Sequence, residues 1–191
     1  MQDGEIIYPD LSTERGSLLK TEKQIIGTFM VLSRCKIIVE LGVYKGHTTK
    51  FICNFLIKNK LEGKVYGFDL PEVINSVIDD SEIKEFVDLG ILKFVPGELP
   101  LSLKLWLNGH SNDIDFVLDD AGHSFENVYS ELNLIWPRLA DDGYCLCHDY
   151  SHKYEEVKYA VDKFSKRRDV LKMPVTSSDD ATNIGHYSFL V

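Results

Sequence analysis

Two apolar runs, each leading into a glycine or an acid, constrain the fold of this chain more than any other feature. Residues 36–49 read Lys-Ile-Ile-Val-Glu-Leu-Gly-Val-Tyr-Lys-Gly-His-Thr-Thr, and residues 65–69 read Val-Tyr-Gly-Phe-Asp. The first run ends in Glu-Leu-Gly, a second glycine follows at Gly46, and a helical pattern then begins. This order predicts a strand, a glycine turn, a helix and a second strand that ends in an acid.

Such a unit holds an adenosine-containing cofactor at the carboxyl ends of parallel strands. Gly42 and Gly46 let the backbone approach a ligand, and Asp69 can accept hydrogen bonds from both ribose hydroxyls. A dinucleotide site uses Gly-x-Gly-x-x-Gly, so that a pyrophosphate sits on a helix N-terminus. Here the pattern is Glu-x-Gly-x-x-x-Gly, and Glu40 would repel a pyrophosphate but suits an ammonium group. The spacing therefore favours S-adenosylmethionine (SAM), and it disfavours an NAD(P)-linked oxidoreductase.

These residues resemble motif I of the class I SAM-dependent methyltransferases. The resemblance implies a methyltransferase domain and assigns eight residues to the cofactor: Glu40, Gly42, Tyr44, Gly46, Thr48, Asp69, Leu70 and Asp119. An ordinary buried strand followed by a glycine turn is the alternative interpretation of the first run. The acid at the end of the second strand argues against that alternative.

Apolar strand patterns alternate with helical patterns along the rest of the chain. Further strands are predicted at residues 91–95, 114–118, 144–147, 170–175 and 187–191. One of the intervening helices is predicted over residues 71–89, beginning at Pro71. Such alternation implies a parallel sheet covered on both faces. We therefore expect an α/β fold with a Rossmann-like, mostly parallel seven-stranded sheet, whose last strand runs antiparallel as in the methyltransferases it resembles.

A second polar block follows the predicted fourth and fifth strands. Residues 119–124 read Asp-Asp-Ala-Gly-His-Ser, and residues 147–150 read Cys-His-Asp-Tyr. Because these strands are neighbours in such a sheet, we expect Asp120 and Asp149 to converge beside the cofactor. Two carboxylates and water suit Mg²⁺, which would bind an acceptor hydroxyl and lower its pKa.

His123 is the candidate catalytic base, because its pKa lies near neutrality and it follows Asp120 by three residues. The alternative is a structural role. Ser124 fits a helix N-cap, which would fix His123 at the helix entrance. Asp119 or Asp120 can cap the same segment, or one of them can bind the SAM amino group.

The second block is similar to the sugar and natural-product O-methyltransferases of the macrocin and mycinamicin type, and to cephalosporin-hydroxylase-like relatives. The resemblance covers about residues 36–165. It implies methyl transfer to a hydroxyl. Together with the residues above, it makes His123 the candidate base and Asp120, His148 and Asp149 the candidate metal ligands. The relatives carry an acidic pair where this chain has His148-Asp149, and imidazole is a poor ligand for Mg²⁺ but a better one for Mn²⁺. Either the metal differs, His148 is not a ligand, or no metal is needed.

The bulk properties indicate one cytoplasmic enzyme domain over residues 1–191. The net charge of -9 argues against general affinity for nucleic acid or an anionic membrane. No apolar stretch approaches a membrane span, and the N-terminus lacks the features of a signal peptide. The four cysteines show no disulfide spacing, and Cys145 and Cys147 fit a buried strand better than a zinc site.

The chain is short, so few residues remain to cover a substrate. Residues 1–24 are expected to supply a lid, or a homodimer partner closes the site. An open site would suit a small-molecule or glycoside acceptor, including a sugar on a larger molecule. The alternative function is a non-catalytic SAM-binding domain of the same fold, which the presence of Asp120, His123 and Asp149 disfavours.

Overall fold

The computed structural model describes residues 5–12, 18–110, 113–168, 170–176 and 186–190. Its helices are α1 (Lys20–Leu32), α2 (His47–Lys58), α3 (Pro71–Val77), α4 (Ser81–Asp88), α5 (Leu101–Gly109), α6 (Phe125–Ile135) and α7 (Glu155–Arg168). Its strands are β1 (Ile37–Leu41), β2 (Lys64–Asp69), β3 (Leu92–Pro96), β4 (Ile114–Asp119), β5 (Leu139–Cys147), β6 (Lys172–Thr176) and β7 (His186–Leu190). A short 3-10 helix, Trp136–Arg138, joins α6 to β5.

Five parallel strands form the centre of the sheet in the order β3-β2-β1-β4-β5. This arrangement confirms the α/β, Rossmann-like fold with a parallel sheet. At the end of the chain, β7 pairs antiparallel with β5, and β6 pairs antiparallel with β7. The chain order reverses between β1 and β4, and such a switch point is where open α/β sheets bind ligands.

Helices cover both faces of the sheet, as predicted. Alternate residues of a strand point to opposite faces, so Ile38 and Val39 of β1 enter different cores. One core is built with α1, α2 and α4 through Ile26, Met30, Phe51, Phe55, Ile83 and Phe86. The other core is built with α5, α6 and α7 through Leu103, Trp106, Val128, Leu132, Val161 and Phe164.

Part of the segment expected as a lid or dimer arm is packed on the domain. Helix α1 begins at Lys20, and residues 5–12 lie against α1 and α2, where the Tyr8 hydroxyl donates to Gln24 O at 3.2 Å. Tyr8 also packs against Phe55, with 5.7 Å between ring centroids. Residues 1–4 and 13–17 of the expected lid lie outside the described residues.

The single helix predicted over residues 71–89 is wrong, because the structure has two helices there. Helix α3 ends at Val77, and α4 begins after Asp80, whose carboxylate accepts from Glu82 N at 3.0 Å and from Ile83 N at 3.2 Å. An aspartate that caps free backbone N–H groups favours a new helix start over an unbroken helix.

The four cysteines are free and buried, as predicted. Within the described ranges, every helix is too short or too polar to cross a lipid bilayer.

Candidate active site

A cavity of about 530 Å³ opens where the parallel strands end. The loops that follow β1 to β5 each contribute to its wall, through Gly42, Leu70, Gly97, Asp120 and Asp149 respectively, and Asp69 at the end of β2 also lines it. The cavity therefore lies at the switch point of the sheet and brings both sequence blocks to one place.

The glycine turn after β1 forms one wall of this cavity. Gly42 has a φ of +91°, and a Cβ there would lie 2.2 Å from the backbone oxygen of Asp120. Only glycine fits both the left-handed conformation and this close approach. Gly46 has a φ of +74° and precedes α2, but a Cβ there would meet Ile83 at 2.6 Å, so Gly46 lies behind the cavity wall.

Asp69 ties the end of β2 to this turn. Its Oδ2 accepts hydrogen bonds from Val43 N and Tyr44 N, each at 2.9 Å, and its Oδ1 accepts from Leu70 N at 2.7 Å. Oδ1 keeps a lone pair for a ligand. The cavity is lined by Asp69, Tyr44, Thr48 and Leu70, and their assignment to the cofactor stays a prediction. The sequence did not show that Asp69 also holds the turn through backbone N–H groups.

Glu40 lies below the cavity and is fully buried. Its Oε2 accepts from Thr49 Oγ1 at 2.7 Å, and burial raises the pKa of the carboxyl to about 8. A protonated carboxyl attracts an ammonium group less than a carboxylate does. The assignment of Glu40 to the SAM amino group stays a prediction.

Asp119 is also buried, next to Glu131 of α6, and burial raises the pKa of both carboxyls. Asp119 borders a narrow cavity of about 10 Å³ that it shares with Cys147 and His148. Its assignment to the cofactor stays a prediction. Sequence reasoning missed Glu131, although an acid on the apolar stripe that contains Leu132 was the available signal.

His123 and Asp149 form a hydrogen-bonded pair at a second wall of the cavity. The distance from His123 Nε2 to Asp149 Oδ2 is 2.7 Å, and the His123 side chain is 45% exposed. This hydrogen bond raises the pKa of His123. Burial opposes ionisation of Asp149, but His123 and His148 outweigh it and lower the pKa of Asp149. Ser124 caps α6 by accepting from Asn127 N at 3.3 Å, so His123 stands at a helix entrance and still lines the cavity.

His148 lies beneath this pair, among three acids. Its Nδ1 is 3.2 Å from both Asp120 Oδ1 and Asp149 Oδ2, and its Nε2 is 3.8 Å from Glu22 Oε1. Burial opposes protonation, but Asp120 and the other acids raise the pKa of His148 well above its usual value. Glu22 belongs to α1, and sequence reasoning missed it because nothing local links the first helix to the fifth strand.

One group of potential metal ligands appears in the described part of the chain. Asp120, His123 and Asp149 offer ligand atoms that all lie within 4.8 Å of one another. The structure thus brings Asp120 and Asp149 together, as expected for neighbouring strands, and adds His123 to this group. His148 Nδ1 also lies 3.2 Å from both carboxylates, and the assignment of His148 as a metal ligand stays a prediction.

The comparison with protein families identifies the chain. A family model described as a methyltransferase domain matches residues 39–150, more than half of the chain. The matched range contains both the glycine turn and the His123–Asp149 pair. The chain therefore belongs to this methyltransferase-domain family, which confirms the prediction of a SAM-dependent methyltransferase.

Solved structures share the fold. An O-methyltransferase from Bacillus cereus in complex with SAH has a TM-score of 0.73 and 12% identity, covering 92% of this chain and 82% of that one. The O-methyltransferase TomG from Streptomyces achromogenes, in complex with SAM, has a TM-score of 0.70 and 14% identity, and the match covers 96% of this chain and 82% of that one. CalS11, a TDP-rhamnose 3'-O-methyltransferase, has a TM-score of 0.67 and 15% identity, and the match covers 89% of this chain and 78% of that one. No curated protein sequence matches the chain.

Proposed function

We propose that this chain transfers a methyl group from SAM to a hydroxyl of a small-molecule acceptor, with sugars and hydroxylated natural products as the acceptor class. The observation that carries the proposal is one cavity with a glycine cradle on one wall and the His123–Asp149 pair on the other. The similar structures support the acceptor class, since TomG is involved in tomaymycin synthesis and CalS11 acts on TDP-rhamnose.

The residues of the first wall fit SAM. A Cβ at Gly42 would fill the space beside Asp120 O, and the free lone pair of Asp69 Oδ1 can accept from a ribose hydroxyl. Tyr44, Thr48 and Leu70 complete this side of the cavity. In SAM the methyl group is bonded to a sulfonium. When the acceptor oxygen attacks the methyl carbon, the S–CH3 bond breaks and SAH leaves as a neutral thioether.

His123 acts as the base in this proposal. When Nε2–H is donated to Asp149, Nδ1 carries the lone pair that can take the proton of the acceptor hydroxyl. Asp149 holds the ring in this tautomer and stabilises the imidazolium that forms. The remaining contribution is alignment of the oxygen with the methyl carbon.

Metal assistance is a separate proposal, supported by the grouping of Asp120, His123 and Asp149. Two carboxylates and one imidazole suit Mn²⁺ better than Mg²⁺. A bound cation would orient the acceptor hydroxyl and lower its pKa. His123 would then be a ligand, so chelation by EDTA separates the two arrangements: activity that survives EDTA supports the base, and activity restored by Mn²⁺ supports the metal.

The function is tested by binding and by turnover. Calorimetry should show binding of SAH and none of NAD, and mass spectrometry should show SAH formed from SAM only when a hydroxylated acceptor such as TDP-rhamnose is present. SAH binding without turnover on a broad acceptor panel would favour the non-catalytic alternative. The single domain, the homodimer, the cytoplasmic location and the lack of nucleic-acid or membrane partners stay predictions.

A further inference from the structure

The loop between β5 and α7 surrounds the His123 ring on two sides. Asp149 bonds the ring edge, and the Tyr154 ring stacks on the ring face with 4.5 Å between centroids and 20° between planes. Asp149 has a φ of +56°. A left-handed conformation costs free energy in a residue other than glycine, and it persists only where the surroundings hold it.

The next residue, Tyr150, is tied to two other elements. Its ring is 8% exposed, and its hydroxyl donates to Asp162 Oδ1 of α7 at 2.7 Å. The same hydroxyl accepts from Lys172 Nζ of β6 at 2.7 Å. Lys172 also pairs with Asp162, and Lys158 Nζ lies 2.8 Å from Asp162 Oδ2. One hydroxyl thus joins the loop to a helix and to a strand.

This hydrogen-bond network can influence the position of Asp149 from outside the cavity. Tyr150 and Asp162 are not among the residues that line the cavity in the described part of the chain. Tyr150 follows Asp149 directly, so the anchored ring limits the backbone rotations available to Asp149. Those rotations decide whether the carboxylate meets His123.

We infer that Tyr150 and Asp162 are positioning residues, which hold Asp149 in its left-handed conformation and thereby hold the His123 ring toward the cavity. The catalytic meaning rests on the proposed function, but the geometric part does not. A network that only stabilised the fold would leave the His123–Asp149 distance unchanged when its hydroxyl is removed.

Four variants separate these roles. Tyr150→Phe removes one hydroxyl and keeps the buried ring, Asp162→Ala removes the acceptor, and Asp162→Asn keeps an acceptor. Tyr159→Phe alters an exposed tyrosine of the same helix and is the matched control. For each variant, a crystal structure gives the His123–Asp149 distance, calorimetry gives SAH affinity, and turnover is measured with SAM and TDP-rhamnose.

In Tyr150→Phe and Asp162→Ala, the distance from His123 Nε2 to Asp149 Oδ2 should exceed about 3.5 Å. Turnover should fall about 10- to 100-fold with the KM for SAM unchanged, while Asp162→Asn and Tyr159→Phe should keep the pair. An unchanged pair in folded Tyr150→Phe overturns the inference, and this variant decides the test if Asp162→Ala does not fold. A lengthened pair in a protein whose wild type methylates no acceptor would keep the positioning role and reject the proposed function.

Discussion

The two walls of the cavity differ in the kind of groups that form them. The wall after β1 and β2 depends on backbone geometry, with positive φ at Gly42 and Tyr44 and with backbone N–H groups satisfied by Asp69. The wall after β4 and β5 depends on ionisable side chains that hold one another, His123 and Asp149 among them.

This difference has a physical consequence. Backbone groups do not change their charge near neutrality, so a wall built mainly from them suits a ligand held by shape and by hydrogen bonds to its hydroxyls. A wall built from titrating groups changes its charge near neutrality, which suits proton transfer. We therefore expect changes at the first wall to alter binding, and changes at the second to alter turnover.

The largest effect is expected at the second wall. His123→Gln should lower kcat by about 10²–10⁴-fold, the usual range for a positioned general base, with SAH affinity almost unchanged. His152→Gln, which alters an exposed histidine of the following loop, is the matched control. Steady-state kinetics and calorimetry check both. Unchanged turnover in His123→Gln would remove His123 from the proposal, both as the base and as a ligand of the proposed metal.

The next effect is expected at the first wall. Gly42→Ala forces a Cβ to within 2.2 Å of Asp120 O at a φ of +91°. Strain and overpacking together should cost about 3 kcal/mol in the free energy of unfolding, and SAH binding should be lost. Gly90→Ala is the control, because Gly90 has a φ of +71° with nothing within 4 Å. Urea unfolding of both variants separates the effect of the contact with Asp120 O from that of the positive φ. Equal losses of unfolding free energy in the two variants would mean that the contact with Asp120 is unimportant.

A smaller loss of binding is expected at Asp69. Asp69→Ala leaves Val43 N, Tyr44 N and the ribose hydroxyls without their hydrogen-bond acceptor. SAH binding should therefore weaken by about 1–3 kcal/mol, without a change in the pH dependence of turnover. Glu72→Ala removes an equal charge from an exposed position of α3 and serves as the control. If calorimetry gave the same SAH affinity for Asp69→Ala and wild type, the ribose assignment would be wrong.

A shift in pH dependence is expected at Asp149. The Asp149 hydrogen bond raises the pKa of His123, and a base works only when it is neutral. Activity should therefore fall as pH drops through a value above the ordinary histidine pKa. Asp149→Asn should move this acidic limb of the kcat/KM profile to lower pH, together with a loss of rate from the weaker orientation of the ring. An unmoved limb would assign it to another group.

The sequence predicted the features that depend on local geometry or on strand adjacency. Gly42 and Asp69 were predicted because a glycine turn and a strand-end acid are local patterns, and the approach of Asp120 to Asp149 followed from neighbouring parallel strands. The split of α3 from α4 at Asp80 was not predicted, because the apolar pattern continues across it and only the capping hydrogen bonds reveal the break.

The parts that the sequence did not predict depend on packing between distant elements. Glu22 reaches His148 only because α1 packs beside the end of β5, and Glu131 meets Asp119 only because α6 lies on β4. Burial then changes what these groups can do. Three acidic neighbours raise the pKa of His148, and no pattern in the sequence around His148 indicates this shift.

The smallest effect on turnover is expected at Glu40, where the change is measured as the pH dependence of stability. Because burial raises the pKa of Glu40 to about 8, the folded protein keeps a proton that the unfolded chain releases above its ordinary pKa of about 4.3. Glu40 should therefore contribute a loss of stability as pH rises from about 4.3 to 8, and the slope should be shallower in Glu40→Gln than in the wild type. Asp119 and Glu131, whose pKa values burial also raises, keep their share of the slope in both proteins. Urea unfolding at pH 5 and pH 8, with Glu72→Gln as control, measures the difference. If Glu40 binds the SAM amino group, saturating SAH should also flatten the wild-type slope, because an ammonium group stabilises the carboxylate. A slope that SAH leaves unchanged would reduce Glu40 to a buried partner of Thr49.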